Sequence, residues 1–160
     1  MVGLIGFSQG TRVVAGLLKA AEMRHALGEA ADSELDWLDF DFGLSVCSSF
    51  PPPLVPPEIM EALAASNIPD AERTAIEEAK IKTPTLHVLG KQDEWRWAGT
   101  VLIEGSYVEA GDGNPGQTAV FEFATGHHYP VQAADTEKVK KWMMGTWERA
   151  QKAREGKTEV

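Results

Sequence analysis

The stretch Gly6-Phe7-Ser8-Gln9-Gly10 sets a serine between two glycines at the G-x-S-x-G spacing of a nucleophile elbow. The spacing has a physical reason. A serine on a tight turn from strand to helix holds a strained backbone, and small residues two before and two after it relieve the crowding. The turn also aims Oγ out of the sheet and puts the amide of the next residue where an oxyanion forms. Ser8 is therefore the candidate nucleophile, and the Gln9 N–H a candidate oxyanion donor. A hydroxyl is a weak nucleophile without a base, and the base needs an orienting acid. Asp93, in HVLGKQD, and His127, in ATGHHYP, follow in the order serine, acid, histidine that goes with such an elbow. His128 is the adjacent alternative to His127.

Elements that could position these groups are legible around them. Apolar runs at 2–7, 42–50, 83–90 and 118–124 read as buried strands. Ser8 begins just past the first, Asp93 just past the third and His127 just past the fourth. Those are the C-terminal strand ends where open α/β sheets assemble their sites. Between the strands, three-to-four spacing of apolar residues predicts helices over 11–27, 58–66, 70–82, 96–109 and 132–150. The Pro51–Pro57 run breaks regular structure, and GDGNPG at 111–116 is a turn. Strands alternating with helices predict a mostly parallel sheet with flanking helices, one α/β domain over 1–150. The charged residues 151–160 read as a disordered tail.

Composition excludes several classes. The chain has 160 residues, 43% hydrophobic and 24% charged, with a formal net charge of -9. That charge argues against nucleic acid or an anionic membrane as partner. No apolar run approaches the roughly 20 residues of a membrane span, and MVGLIGF lacks the basic flank and cleavage site of a signal peptide. Cys47 is the single cysteine, so no internal disulfide forms and a reducing, cytoplasmic setting is expected.

Taken together, GFSQGTRVVAGLL, KTPTLHVLGKQD, GHHYP and FGLSVCSSFPPP resemble the FSH serine-hydrolase family of α/β-hydrolases. That family includes fungal esterases, among them thioesterase-like hydrolases that release polyketide products. The resemblance covers about residues 2–147. It implies Ser8 as nucleophile, Asp93 as acid and His127 as base, with His127 preferred to His128 because Gly126-His127-x-x-Pro130 fits the family's histidine turn. Thr125 departs from the glycine usual before Gly126. The implied substrate is a small acyl ester or thioester, cleaved through an acyl-enzyme with no metal or organic cofactor. The acyl-protein thioesterases share the elbow, but HVLGKQD and HHYP fit them less well.

The resemblance further implies that the chain is the C-terminal portion of such a domain, lacking its N-terminal strands. Those strands would carry the second oxyanion donor, whose loss costs about 100- to 1000-fold in rate. A catalytically impaired or inactive paralogue acting as a binding module is thus the rival reading. The elbow strand is left as an open edge, which predicts self-association.

Other residues have structural readings. Cys47 reads as a buried thiol, His87 as a packed strand histidine and His25 as a surface residue. The four histidines show no metal-ligand spacing. Trp95 and Trp97 could line an acyl pocket or pack on the sheet edge. Glu34, Asp36, Asp39 and Asp41 form an acidic face, and Asp112 belongs to its turn.

Overall fold

Short apolar runs rich in Leu, Val and Phe form four strands: β1 (Gly3–Phe7), β2 (Phe42–Val46), β3 (Thr85–Gly90) and β4 (Ala119–Phe123). Their connections are long enough to return each strand in the same direction. The sheet is accordingly all parallel, in the order β1-β2-β3-β4. The structure, a computed structural model, describes residues 3–28 and 33–158. Val2, residues 29–32 of the acidic segment and residues 159–160 lie outside the described residues.

Five helices flank this sheet, α2 and α3 packing onto α1: α1 (Gly10–Leu27), α2 (Pro57–Ala65), α3 (Asp70–Glu78), α4 (Arg96–Ser106) and α5 (Ala133–Thr158). Strand alternation sends Leu4, Ser45, His87 and Leu89 to one face, where Val14 and Leu18 of α1 and Gly99 of α4 meet them. Phe42, Leu44, Val46, Leu86 and Val88 face the other way, onto Val139, Trp142 and Met143 of α5. Trp142 is fully enclosed and meets Phe42 edge-on, with ring centroids 6.4 Å apart. β2 and β3 are buried along their whole length, as strands inside a parallel sheet are. β1 is an edge, and Ile5 on it is 57% exposed.

Several boundaries differ from expectation: α3 ends at Glu78 rather than 82 and α4 at Ser106 rather than 109, and two further differences have a clear local reason. β2 stops at Val46 because Cys47 turns to φ 49° and leaves the extended region. The final helix continues to Thr158, past the expected end near 150. Arg154 on its last turns donates to Asp41 at 3.0 Å and to Asp39 at 3.1 Å, tying that segment to the body. Two members of the acidic face are therefore ion-paired rather than only solvated, and Asp36 likewise pairs with Arg24.

His87 is wholly enclosed, its ring edge-on to Tyr107 with centroids 4.4 Å apart. Burial disfavours the charged imidazolium and pulls its pKa down to about 3 from 6.5. The unfolded chain takes up this proton below pH 6.5 and the folded chain does not. The stability His87 contributes is thus fully present above pH 6.5 and lost as pH falls toward 3. The slope is about 1.4 kcal/mol per pH unit. In denaturant titrations at pH 7 and pH 5, His87→Phe should lose about 2 kcal/mol less than the native chain. Equal losses would show that this ring does not carry the acid sensitivity.

Candidate active site

Every strand of the sheet delivers one chemically useful side chain at its C-terminal end. Ser8 follows β1, Cys47 follows β2, Asp93 lies three residues past β3 and His127 four past β4. Because the four strands are neighbours in sequence order, these ends converge.

Ser8 occupies the left-handed region at φ 50°, the strained backbone an elbow demands. Its N–H donates to Val46 at 2.9 Å, and its carbonyl accepts from Thr11 Oγ1 at 2.6 Å, which fixes the turn. The two elbow glycines are not equivalent. A Cβ on Gly6 would lie 2.6 Å from the Gly10 carbonyl oxygen and 2.8 Å from Val14, whereas a Cβ on Gly10 would meet nothing within 4 Å. Only the glycine before Ser8 is sterically required. That corrects the expectation that crowding is relieved on both sides.

His127 lies between Ser8 and Asp93. Its Nδ1 is 2.8 Å from Asp93 Oδ2, and its Nε2 is 3.0 Å from Ser8 Oγ. With Nδ1–H donating to the carboxylate, the Nε2 lone pair faces the serine hydroxyl. The ring rests against Phe7, centroids 5.2 Å apart, and Phe7 in turn stacks on Tyr129 at 5.2 Å. His128 points elsewhere: its Nδ1 bonds the Tyr129 carbonyl at 2.7 Å. Thr125, in place of the expected glycine, is buried and does not keep the imidazole from Ser8. Its carbonyl accepts Gln92 N–H at 3.0 Å, and the turn passes so close to Gly90 that a Cβ there would lie 2.4 Å from the Gly126 oxygen.

The Asp93 side chain is 2% exposed. Burial alone would raise its pKa, but Trp95 N–H, donating to Oδ1 at 2.9 Å, and His127 outweigh it and hold the carboxyl below its usual range. Asp93 is therefore held in its ionised form beside the imidazole.

Cys47 is where sequence reasoning and structure part. Its thiol is buried, as expected of a packing residue, but it lies against Asp93 and reaches the carbonyls of His128 at 3.6 Å and Gly126 at 3.9 Å. Burial first, and the Asp93 charge second, push the thiol up to about 11. No local signal in the sequence places it there, and its backbone turns out of the extended region at φ 49°.

A cavity of about 170 Å³ opens over these groups, lined in part by Ser8, Gln9, Cys47, Phe50, Trp95 and His127. Trp95 thus borders the site, while Trp97, 59% exposed, does not line it. Cavities of about 540–640 Å³ lie elsewhere on the surface, away from the serine. Asp112 sits in its turn and His25 on the surface of α1, both distant in role from the site. No helix among the described residues is long and apolar enough to cross a membrane.

Comparison with known proteins gives a consistent picture. The family model described as serine hydrolase (FSH1) matches residues 1–139. The chain is 28% identical over 152 residues to Esterase FUS5 of Gibberella moniliformis, covering 95% of this chain and 49% of that protein. It is 28% identical over 137 residues to Esterase FUS5 of Gibberella fujikuroi, covering 86% of this chain and 43% of that protein. The chain thus spans just under half the length of the curated relatives it matches. No solved structure matches it significantly.

Proposed function

Since this chain belongs to the serine hydrolase (FSH1) family, we propose that it hydrolyses a small acyl ester or thioester through an acyl-enzyme. The unbroken hydrogen-bonded run from Asp93 through His127 to Ser8 carries the reading. Ser8 Oγ attacks the acyl carbonyl as His127 Nε2 takes its proton, and the imidazolium returns that proton to the leaving alcohol or thiol. Asp93 holds the Nδ1–H tautomer and stabilises the positive ring as it forms. The Gln9 N–H supports the oxyanion. Water, activated by the same imidazole, then releases the acid. Attack, proton transfer and deacylation are all supplied by side chains and water. The names of the two fungal relatives favour an ester over an amide substrate.

A fluorophosphonate probe tests this reading directly. The native chain should be labelled at one serine, and Ser8→Ala should not be labelled. Equal labelling of both would remove Ser8 from the mechanism. A folded chain that is never labelled would instead favour the rival binding-module reading.

The edge presented by β1 supports a second element of the proposal, self-association. Gly3 to Phe7 carry no charge to repel a partner strand, and Ile5 stands 57% exposed. Sedimentation velocity should show a species that grows with concentration, and Ile5→Lys should reduce it. A single unchanging species in the native chain would exclude pairing at this edge.

A further inference from the structure

Cys47 Sγ, a ring nitrogen of His127 and a carboxylate oxygen of Asp93 all lie within 4.8 Å of one another. A tetrahedral zinc ion holds sulfur at about 2.3 Å and nitrogen or oxygen at about 2.0 Å, which sets its ligands roughly 3.3–3.5 Å apart. His127 Nδ1 and Asp93 Oδ2, 2.8 Å apart, need to open by about half an ångström and the farthest pair to close by at most about 1.5 Å to share one ion. They come from the ends of three different strands, so no sequence spacing announces them.

We propose that these three side chains form an inhibitory site for a thiophilic divalent cation such as Zn²⁺ or Cd²⁺. The binding itself stands on the ligand geometry, and its effect on catalysis rests on the serine-hydrolase reading above. Thiolate and imidazole select soft and borderline cations, and the carboxylate adds the second negative charge needed to neutralise the ion. Entry is open, since Cys47 and His127 both line the cavity above Ser8. Supporting contacts are also present. Trp95 N–H at 2.9 Å fixes Asp93 Oδ1, leaving Oδ2, the oxygen that faces His127, to take the ion.

Proton bookkeeping gives the consequence. Coordination replaces the Cys47 S–H bond by an S–metal bond, and that proton leaves to solvent. No atom is oxidised or reduced. His127 faces Asp93 through Nδ1, so the ion occupies Nδ1 and the ring's remaining proton moves to Nε2. Nε2–H then donates toward Ser8 Oγ, 3.0 Å away, where catalysis requires it to accept. The ion leaves the histidine in place and in the wrong tautomer. Serine activation stops without unfolding or covalent change.

Two readouts separate this inference from the function it modifies. Titrating the native chain with Cd²⁺ should give a thiolate-to-metal charge-transfer band in the ultraviolet that saturates at one ion per chain. Ser8→Ala should keep the band, Cys47→Ser should lose it, and His127→Gln should bind at least about tenfold more weakly. In the second readout, Zn²⁺ should slow fluorophosphonate labelling of the native chain at least about tenfold, reversed by a chelator. A flat Cd²⁺ titration in a chain that the probe labels normally overturns the site and leaves the hydrolase reading intact. A saturating band in a chain that the probe never labels keeps the site and sinks that reading. A band whose affinity is unchanged in His127→Gln means binding by the thiol alone, and overturns the three-ligand site. Circular dichroism of each variant confirms that lost binding is not lost folding.

Discussion

Ser8→Ala and His127→Ala are each expected to lower kcat for an activated ester by on the order of 10⁴- to 10⁶-fold, and the double variant no further. The equality follows from the geometry. Ser8 Oγ and His127 Nε2 are 3.0 Å apart and act in one proton transfer, so removing either removes the step. KM should change little, because neither side chain binds the acyl group before attack. Steady-state kinetics with p-nitrophenyl acetate, corrected for the buffer rate, measure all three variants. A double variant clearly slower than either single one would mean that the two residues act independently. Both substitutions leave the core intact, since the His127 side chain is about a third exposed and Ser8 lies outside the buried set.

Asp93→Asn should lower kcat by about 10⁴-fold with the chain still folded. The carboxylate accepts hydrogen bonds from Trp95 N–H at 2.9 Å and His127 Nδ1–H at 2.8 Å, with the Cys47 thiol also against it. With Oδ1 still held by Trp95, the amide of asparagine turns its NH₂ toward Nδ1 and donates where the carboxylate accepted. The imidazole then carries its proton on Nε2 and offers Ser8 no lone pair. Thermal unfolding should move by only a few degrees while activity collapses, and a loss below tenfold would remove Asp93 as the orienting acid. Its low pKa fits this role, because a protonated Asp93 would make the same error as asparagine.

Much of this arrangement is legible in the chain. GFSQG follows an apolar run and opens an amphipathic helix, and Asp93 and His127 each follow a further apolar run. Once four consecutive runs form neighbouring parallel strands, their ends must meet. What the sequence withholds depends on contacts between distant segments. Gly6 and Gly10 look alike in the motif, yet only Gly6 has a backbone oxygen in the way of a side chain. Cys47 reads as filler because its positive φ, and the Asp93 carboxylate beside it, are set by β2, β3 and the histidine turn together. Residues 151–158 look like a charged tail until Arg154 meets Asp39 and Asp41, partners 115 and 113 positions away. His127 and His128 differ by one position, and the turn backbone decides which of them faces Ser8.

The one-residue-per-strand layout of the site makes the chemistry a gauge of assembly. Ser8, Cys47, Asp93 and His127 report on β1, β2, β3 and β4 in turn. A slip of one residue at any strand pair would send that strand's inward side chains to the opposite face and carry its terminal group about 3.3 Å along the sheet. The hydrogen bonds of 2.8 and 3.0 Å that join three of the strands do not survive such a displacement. On the proposed mechanism, covalent capture of Ser8 would therefore count molecules in which β1, β3 and β4 have reached native register, and would time the completion of the sheet during refolding.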